Sequence, residues 1–250
     1  MPEGLTLALA TPGLGWMAFT IFCAGIVRGF TGFGTALIFV PVAAQYLPMV
    51  EVILIIMLTG TVTATALMPT AWRVADKPEV GVLVAAVAVT APFGLWLMSV
   101  TEVLTLRWIV TGVVLLTLVA VVTGWRWHGR LGWVGRLAIG GASGVIGGTT
   151  GLTGPVVIIF YLANARSAQA VRANTILFLA ASDIVIISSL AISGQIVERA
   201  LWLTPILSVP YLATALIGQA LFDPAYDILY RRVAYGVVFL AVISGLPLLD

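Results

Sequence analysis

Apolar residues dominate the chain in eight long regions, at about 14–47, 50–70, 80–98, 107–124, 133–164, 173–193, 201–222 and 233–249. Six have the roughly 20 residues that a helix needs to cross a bilayer core about 30 Å thick. The first and fifth exceed 30 residues, and glycines and hydroxyl residues interrupt each mid-way. The pattern predicts an all-α polytopic membrane protein with two broken helices.

The first interruption reads Gly25-Ile-Val-Arg28-Gly29-Phe-Thr31-Gly32-Phe-Gly34-Thr35, and the second Gly144-Val-Ile-Gly147-Gly148-Thr149-Thr150-Gly151-Leu-Thr153-Gly154-Pro155. An offset of 119 aligns Gly25 with Gly144, Gly29 with Gly148, Thr31 with Thr150 and Gly32 with Gly151. Further on, an offset of 124 aligns Leu104-Thr-Leu-Arg107 with Ile228-Leu-Tyr-Arg231, and Gly112-Val-Val with Gly236-Val-Val. The chain thus reads as two copies of one unit, residues 1–124 and 125–250, within one membrane domain. Such internal repeats characterise transporters.

Composition agrees: 61% of the 250 residues are hydrophobic and 9% charged, against roughly 25% charged in soluble domains. The net charge of +2 matters less than its placement. If all eight regions cross fully, six basic residues fall on one side and five on the other. If the first and fifth are re-entrant hairpins, one face holds nine: Arg73, Lys77, Arg126, Arg130, Arg136, Arg166, Arg172, Arg231 and Arg232. The other keeps Arg107 and Arg199. This asymmetry is what the positive-inside rule expects. Hairpin arms of about 14 residues would reach roughly 21 Å, past the midplane without crossing. Each unit then has one hairpin and three spans, so the second is inverted relative to the first, with both termini periplasmic. Eight full spans with kinked helices and parallel repeats are the alternative. No Lys or Arg occurs in the first 12 residues, which speaks against a cleaved signal peptide.

Non-helical backbone cannot face lipid, so the tips are expected to meet near the midplane, at a site for a small anion. A helix restarts after each tip, offering unpaired N–H groups and about half a positive charge. The expected anion-binding residues are Arg28, Gly29, Thr31, Gly32, Gly34 and Thr35 from the first tip, with Thr149, Thr150, Gly151, Thr153 and Gly154 from the second. The plainer reading of Gly25/Gly29 and Gly144/Gly148 is close helix packing. Arg28 is an intramembrane charge and therefore a functional candidate. Asp183 is a candidate for coupling or gating, Arg172 and Asn174 for a cytoplasmic entrance, and Gln219 for the pore.

Trp72, Trp108, Trp125, Trp127, Trp133 and Trp202 stand near predicted span ends and read as an interfacial belt, not as a nucleic-acid surface. A single cysteine, Cys23, and a lone His128 form neither a disulfide nor a metal site, and no cofactor is expected. The sequence is compatible with a homo-oligomer.

The segments Gly29-Phe-Thr-Gly-Phe-Gly34 and Gly147-Gly-Thr-Thr-Gly-Leu-Thr-Gly-Pro155, with Pro41 after the first, resemble the TauE/SafE sulfite exporter family over essentially the whole chain. Thr153-Gly154 departs from the second Gly-Gly run that many members carry. The resemblance implies a bacterial inner-membrane carrier for sulfite or a related sulfur oxyanion, usually moved outward. An inside-negative membrane favours anion efflux by roughly 2.3 kcal/mol per charge per 100 mV. Uptake of a larger organosulfonate is the second reading. An enzyme lacks a catalytic pair, since no histidine lies within a span, and a structural membrane subunit would not need two polar tips. The hairpin arrangement predicts that cysteines placed at residues 48–51 and at the N-terminus react with an impermeant reagent from the same face of intact cells.

Overall fold

The structure is a computed structural model that describes residues 3–124, 132–163, 168–221 and 227–248. Trp125, Arg126, Trp127, His128, Arg130 and Arg166 lie outside them. The described chain is helical: α1 (Glu3–Leu9), α2 (Leu14–Thr31), α3 (Thr35–Ala43), α4 (Met49–Val74), α5 (Lys77–Val100), α6 (Val103–Val122), α7 (Trp133–Thr150), α8 (Gly154–Ala163), α9 (Ala168–Ile192), α10 (Glu198–Ala220) and α11 (Asp227–Ser244). Among the described residues, six helices are long and apolar enough to cross a bilayer: α2, α4, α5, α6, α9 and α10.

Both long apolar regions are broken where the sequence places the breaks. α2 ends at Gly32, whose φ of 79° closes the helix with its N–H on Arg28 O at 2.8 Å. α7 ends in the same way at Gly151, with φ 77° and N–H on Gly147 O at 2.8 Å. The left-handed conformation that stops a helix costs glycine no Cβ clash. The arms are unequal, a correction to the expected 14 residues each. α2 and α7 have 18 residues, while α3 and α8 have 9 and 10. That is about 27 Å before each break and about 14–15 Å after it.

Contacts near the helix ends sort the termini into two groups. Gly13, at the start of α2, lies against the Tyr46 ring just after α3. Gly4 lies against Glu198 and Trp202. Glu51 of α4 takes two hydrogen bonds from Arg199 of α10, Nε–Oε2 2.8 Å and Nη2–Oε1 2.6 Å. Arg107 reaches Gly245 O, and Gly245 abuts Pro41 of α3. At the far ends of α4 and α10, Arg136 of α7 pairs with Glu79 of α5 at 3.2 Å. There too the Asp76 N–H donates to Asn174 Oδ1 of α9 at 2.8 Å. Asp76 also caps α5 by accepting from Glu79 N–H.

The two broken helices pack on the opposite halves of the sequence: α2 against α10, and α7 against α5, while α4 packs on α9. Glycines set these approaches. A methyl on Gly94 would stand 3.0 Å from Gly148 Cα, and one on Gly218 would stand 3.2 Å from Gly29 Cα. Gly94 and Gly218 are themselves related by the offset of 124, so the two contacts are equivalent. Close approach through small residues is how helices gain dispersion contacts in lipid, where no hydrophobic force joins them. Trp72, Trp108 and Trp133 are exposed near helix ends, and Trp202 is half-buried. Gly94→Val or Gly218→Val should destabilise the protein by about 1–3 kcal/mol through overpacking. Gly112→Ala, which meets nothing within 4 Å, should not. Thermal melting in detergent measures the difference.

Candidate functional site

The breaks bring polar groups into the interior, and a threonine hydroxyl ties each turn. In the first, Thr31 Oγ1 donates to Val27 O or Phe33 O, each at 2.8 Å, and the Phe33 N–H returns to Thr31 Oγ1 at 3.3 Å. In the second, Thr150 Oγ1 donates to Ile146 O at 2.7 Å, and the Leu152 N–H returns at 3.3 Å. Every partner is related by the offset of 119. Thr31 and Thr150, expected at the anion, instead tie the turns. Thr149 bonds Gly94 O at 3.1 Å and Val145 O at 2.8 Å, which joins α7 to α5. Gly29 belongs to the α2–α10 contact, and Gly32 lies against the Arg172 stem.

The remaining candidates converge. A cavity of about 50 Å³ is lined by Arg28, Phe33, Gly34, Thr35, Ala36 and Leu37 from the first break, and by Gly151, Thr153, Gly154, Pro155 and Ile158 from the second. The middle portions of α4, α9 and α10 complete it with Ile56, Met57, Gly60, Leu179, Asp183 and Tyr211. A single water needs about 10–15 Å³ on this scale, so the cavity has room for a few water-sized groups.

Arg28 is 4% exposed, and its Nε and Nη2 have no hydrogen-bond partner. Buried guanidinium nitrogens are costly to leave unmade, so the group is poised for an acceptor. α3 starts behind Gly34 without a side-chain cap, and its first residues, Thr35 to Leu37, form part of the wall. α8 starts at Gly154 on the other side. Both helix starts lend partial positive charge to the cavity. Asp183, 6% exposed, brings a carboxyl group to the same wall.

Tyr211, fully buried, was not legible as a site residue. Its hydroxyl meets Thr35 Oγ1 at 2.6 Å, either oxygen donating. Nothing in an apolar helix with two prolines singles it out, although it lies one turn before Thr214, which borders Gly25.

Arg172 and Asn174 do not reach the cavity. Arg172 Nη2 donates to Gly29 O at 3.2 Å, a cation on the last turn of α2. Asn174 is fully buried and holds the turn before α5. Both expected entrance residues therefore brace helix ends. Gln219 is exposed on α10, away from the cavity, and only its backbone packs on Gly29.

The sulfite exporter TauE/SafE family model matches residues 17–245. The chain belongs to the TauE/SafE family. No curated protein and no solved structure shows significant similarity to it. Both breaks and every residue that lines the cavity fall inside the matched span. In this TauE/SafE chain, polar backbone interrupts two apolar helices beside a cavity that a buried arginine and a buried aspartate both line. Replacing Thr31 and Thr150 together by valine should lower stability by about 1 kcal/mol per lost hydrogen bond, read as a lower melting temperature, because their hydroxyls serve the turns.

Proposed function

We propose that the protein is a secondary transporter that exports sulfite, or a similarly small sulfur oxyanion, across the bacterial inner membrane. The family and the six spanning-length helices make it a multi-pass membrane protein with a sulfur-anion transporter's ancestry. The observation that carries the site reading is Arg28: two buried guanidinium nitrogens without partners, in a cavity where two helices begin. Anion oxygens would take hydrogen bonds from Arg28 and from the first N–H groups of α3, with Thr35 and Thr153 hydroxyls beside them. The modest cavity volume favours sulfite over a larger organosulfonate.

The topology we read with this site is that of two inverted repeats, 1–124 and 125–250, each opening with a re-entrant broken helix. It is supported by Gly13 meeting Tyr46, which returns the first broken region to the end it entered. It is also supported by α5, whose first turn holds the starts of both α7 and α9 through Arg136–Glu79 and Asn174–Asp76. Arg136 and Arg172 gather at that second end, which we assign to the cytoplasm. Arg107, Arg199, the N-terminal helix and Gly245 gather at the first, which we assign to the periplasm together with both termini. Sites reached from opposite faces near the midplane suit alternating access.

In proteoliposomes loaded with sulfite, the wild-type protein should release it down its gradient. Arg28→Ala should cut the initial rate at least about tenfold, the loss of one charge-assisted contact of roughly 1.5–3 kcal/mol. Unchanged flux in Arg28→Ala overturns the site.

A further inference from the structure

Asp183 is placed where a carboxylate is hardest to keep. It sits in the middle of α9, 6% exposed, with apolar neighbours before and after it except Ser182. α4 makes room for it with Gly60, since a methyl there would overlap Asp183 Oδ2. An acidic group at such depth is retained for a function or a partner. The cation in the same cavity is Arg28, whose Nε and Nη2 remain without hydrogen-bond partners. The cavity is therefore bordered by one guanidinium and one carboxyl group, and no ion pair joins the two.

An anion that binds Arg28 enters a space of about 50 Å³ already bordered by the Asp183 carboxylate. Two negative charges within one small, poorly solvated cavity each disfavour the other's charged form. The other ionisable group on the wall is Tyr211, whose hydroxyl is engaged with Thr35. From the remaining elements packed around Asp183, α4 contributes Met57 and Gly60, and α8 contributes Ile158. α5 and α7, which also touch α9, bring no ionisable side chain to the cavity wall. The Asp183 carboxyl is the group able to relieve the repulsion, by taking a proton from hydronium or buffer acid in the bathing solution.

Resting on the anion-site reading above, we infer that Asp183 is the exchangeable counter-ion of that site: it balances Arg28 when the cavity is empty and is protonated when the anion replaces it there. On loading, hydronium or buffer acid in the solution on that side gives its proton to one Asp183 oxygen and is left as water or conjugate base; on release the proton returns to the solution on the other side. With a monovalent anion the cavity stays neutral in both states. The buried centre therefore never carries a net charge through the membrane interior, and anion and proton travel in the same direction.

The test is calorimetry of sulfite binding to the full-length protein in detergent, in two buffers of different ionisation heat, for wild type, Asp183→Asn and Asp183→Glu. Protonation of sulfite itself is common to all three and cancels in the comparison. Wild type and Asp183→Glu should take up about one proton more per sulfite bound than Asp183→Asn. Their affinity should also gain about tenfold per pH unit of acidification relative to Asp183→Asn, as linkage of one proton requires. Equal proton counts overturn the inference and leave the anion site standing. Sulfite binding that is absent in wild type, or unchanged by Arg28→Ala, overturns the site and this inference with it. Infrared difference spectra of the unmodified protein provide a readout independent of the variants' folding. Sulfite should produce a protonated-carboxyl band, and binding without that band overturns the proposal.

Discussion

Backbone amides and carbonyls that leave a helix inside a bilayer have no water to bond with, and each costs several kcal/mol if left bare. This chain breaks two apolar helices and meets part of that demand locally. The hydroxyls of Thr31 and Thr150 reach back one turn and forward two residues, and the left-handed glycines Gly32 and Gly151 close the helix ends. Because the turns are satisfied on one side, the helix starts beyond them are free to face the cavity. The close glycine contacts of α2 with α10 and of α7 with α5 then hold the breaks in position.

The same division of labour explains why the polar residues around the breaks split into two sets. Those within one turn before the break, Thr31, Thr149 and Thr150, have carbonyls in reach and are absorbed by them. Those at or after it, Gly34, Thr35, Thr153 and Gly154, lie at helix starts, where carbonyls point away, and they line the cavity. Arg28 also precedes the break, but its long side chain carries the guanidinium clear of the turn. Arg172 does the opposite, folding onto the carbonyl of Gly29 and neutralising the end of α2.

The cavity is asymmetric although the two breaks that wall it are tied by matching bonds. The position equivalent to Arg28 is Gly147, against which Thr153 packs. Asp183 enters from α9, and Tyr211 from α10 bonds Thr35 across the two halves. The charge pair therefore draws one member from each half of the chain, which ties the electrostatics of the site to how the halves sit together.

The membrane class, the two breaks and their approximate limits follow from sequence alone, because long apolar runs have one solution in lipid and because glycines stop helices by local sterics. The candidacy of Arg28 and Asp183 is equally local, since a charge inside an apolar run is expensive wherever it points. Tertiary structure alone decided the rest. The arms proved unequal, Gly29 and Thr149 went to helix contacts, Arg172 and Asn174 to bracing helix ends, and Tyr211 to the cavity wall. Each outcome depends on which face of a helix meets which neighbour. Where all faces are apolar, periodicity says little about direction, so only the packing of one half against the other assigns those faces.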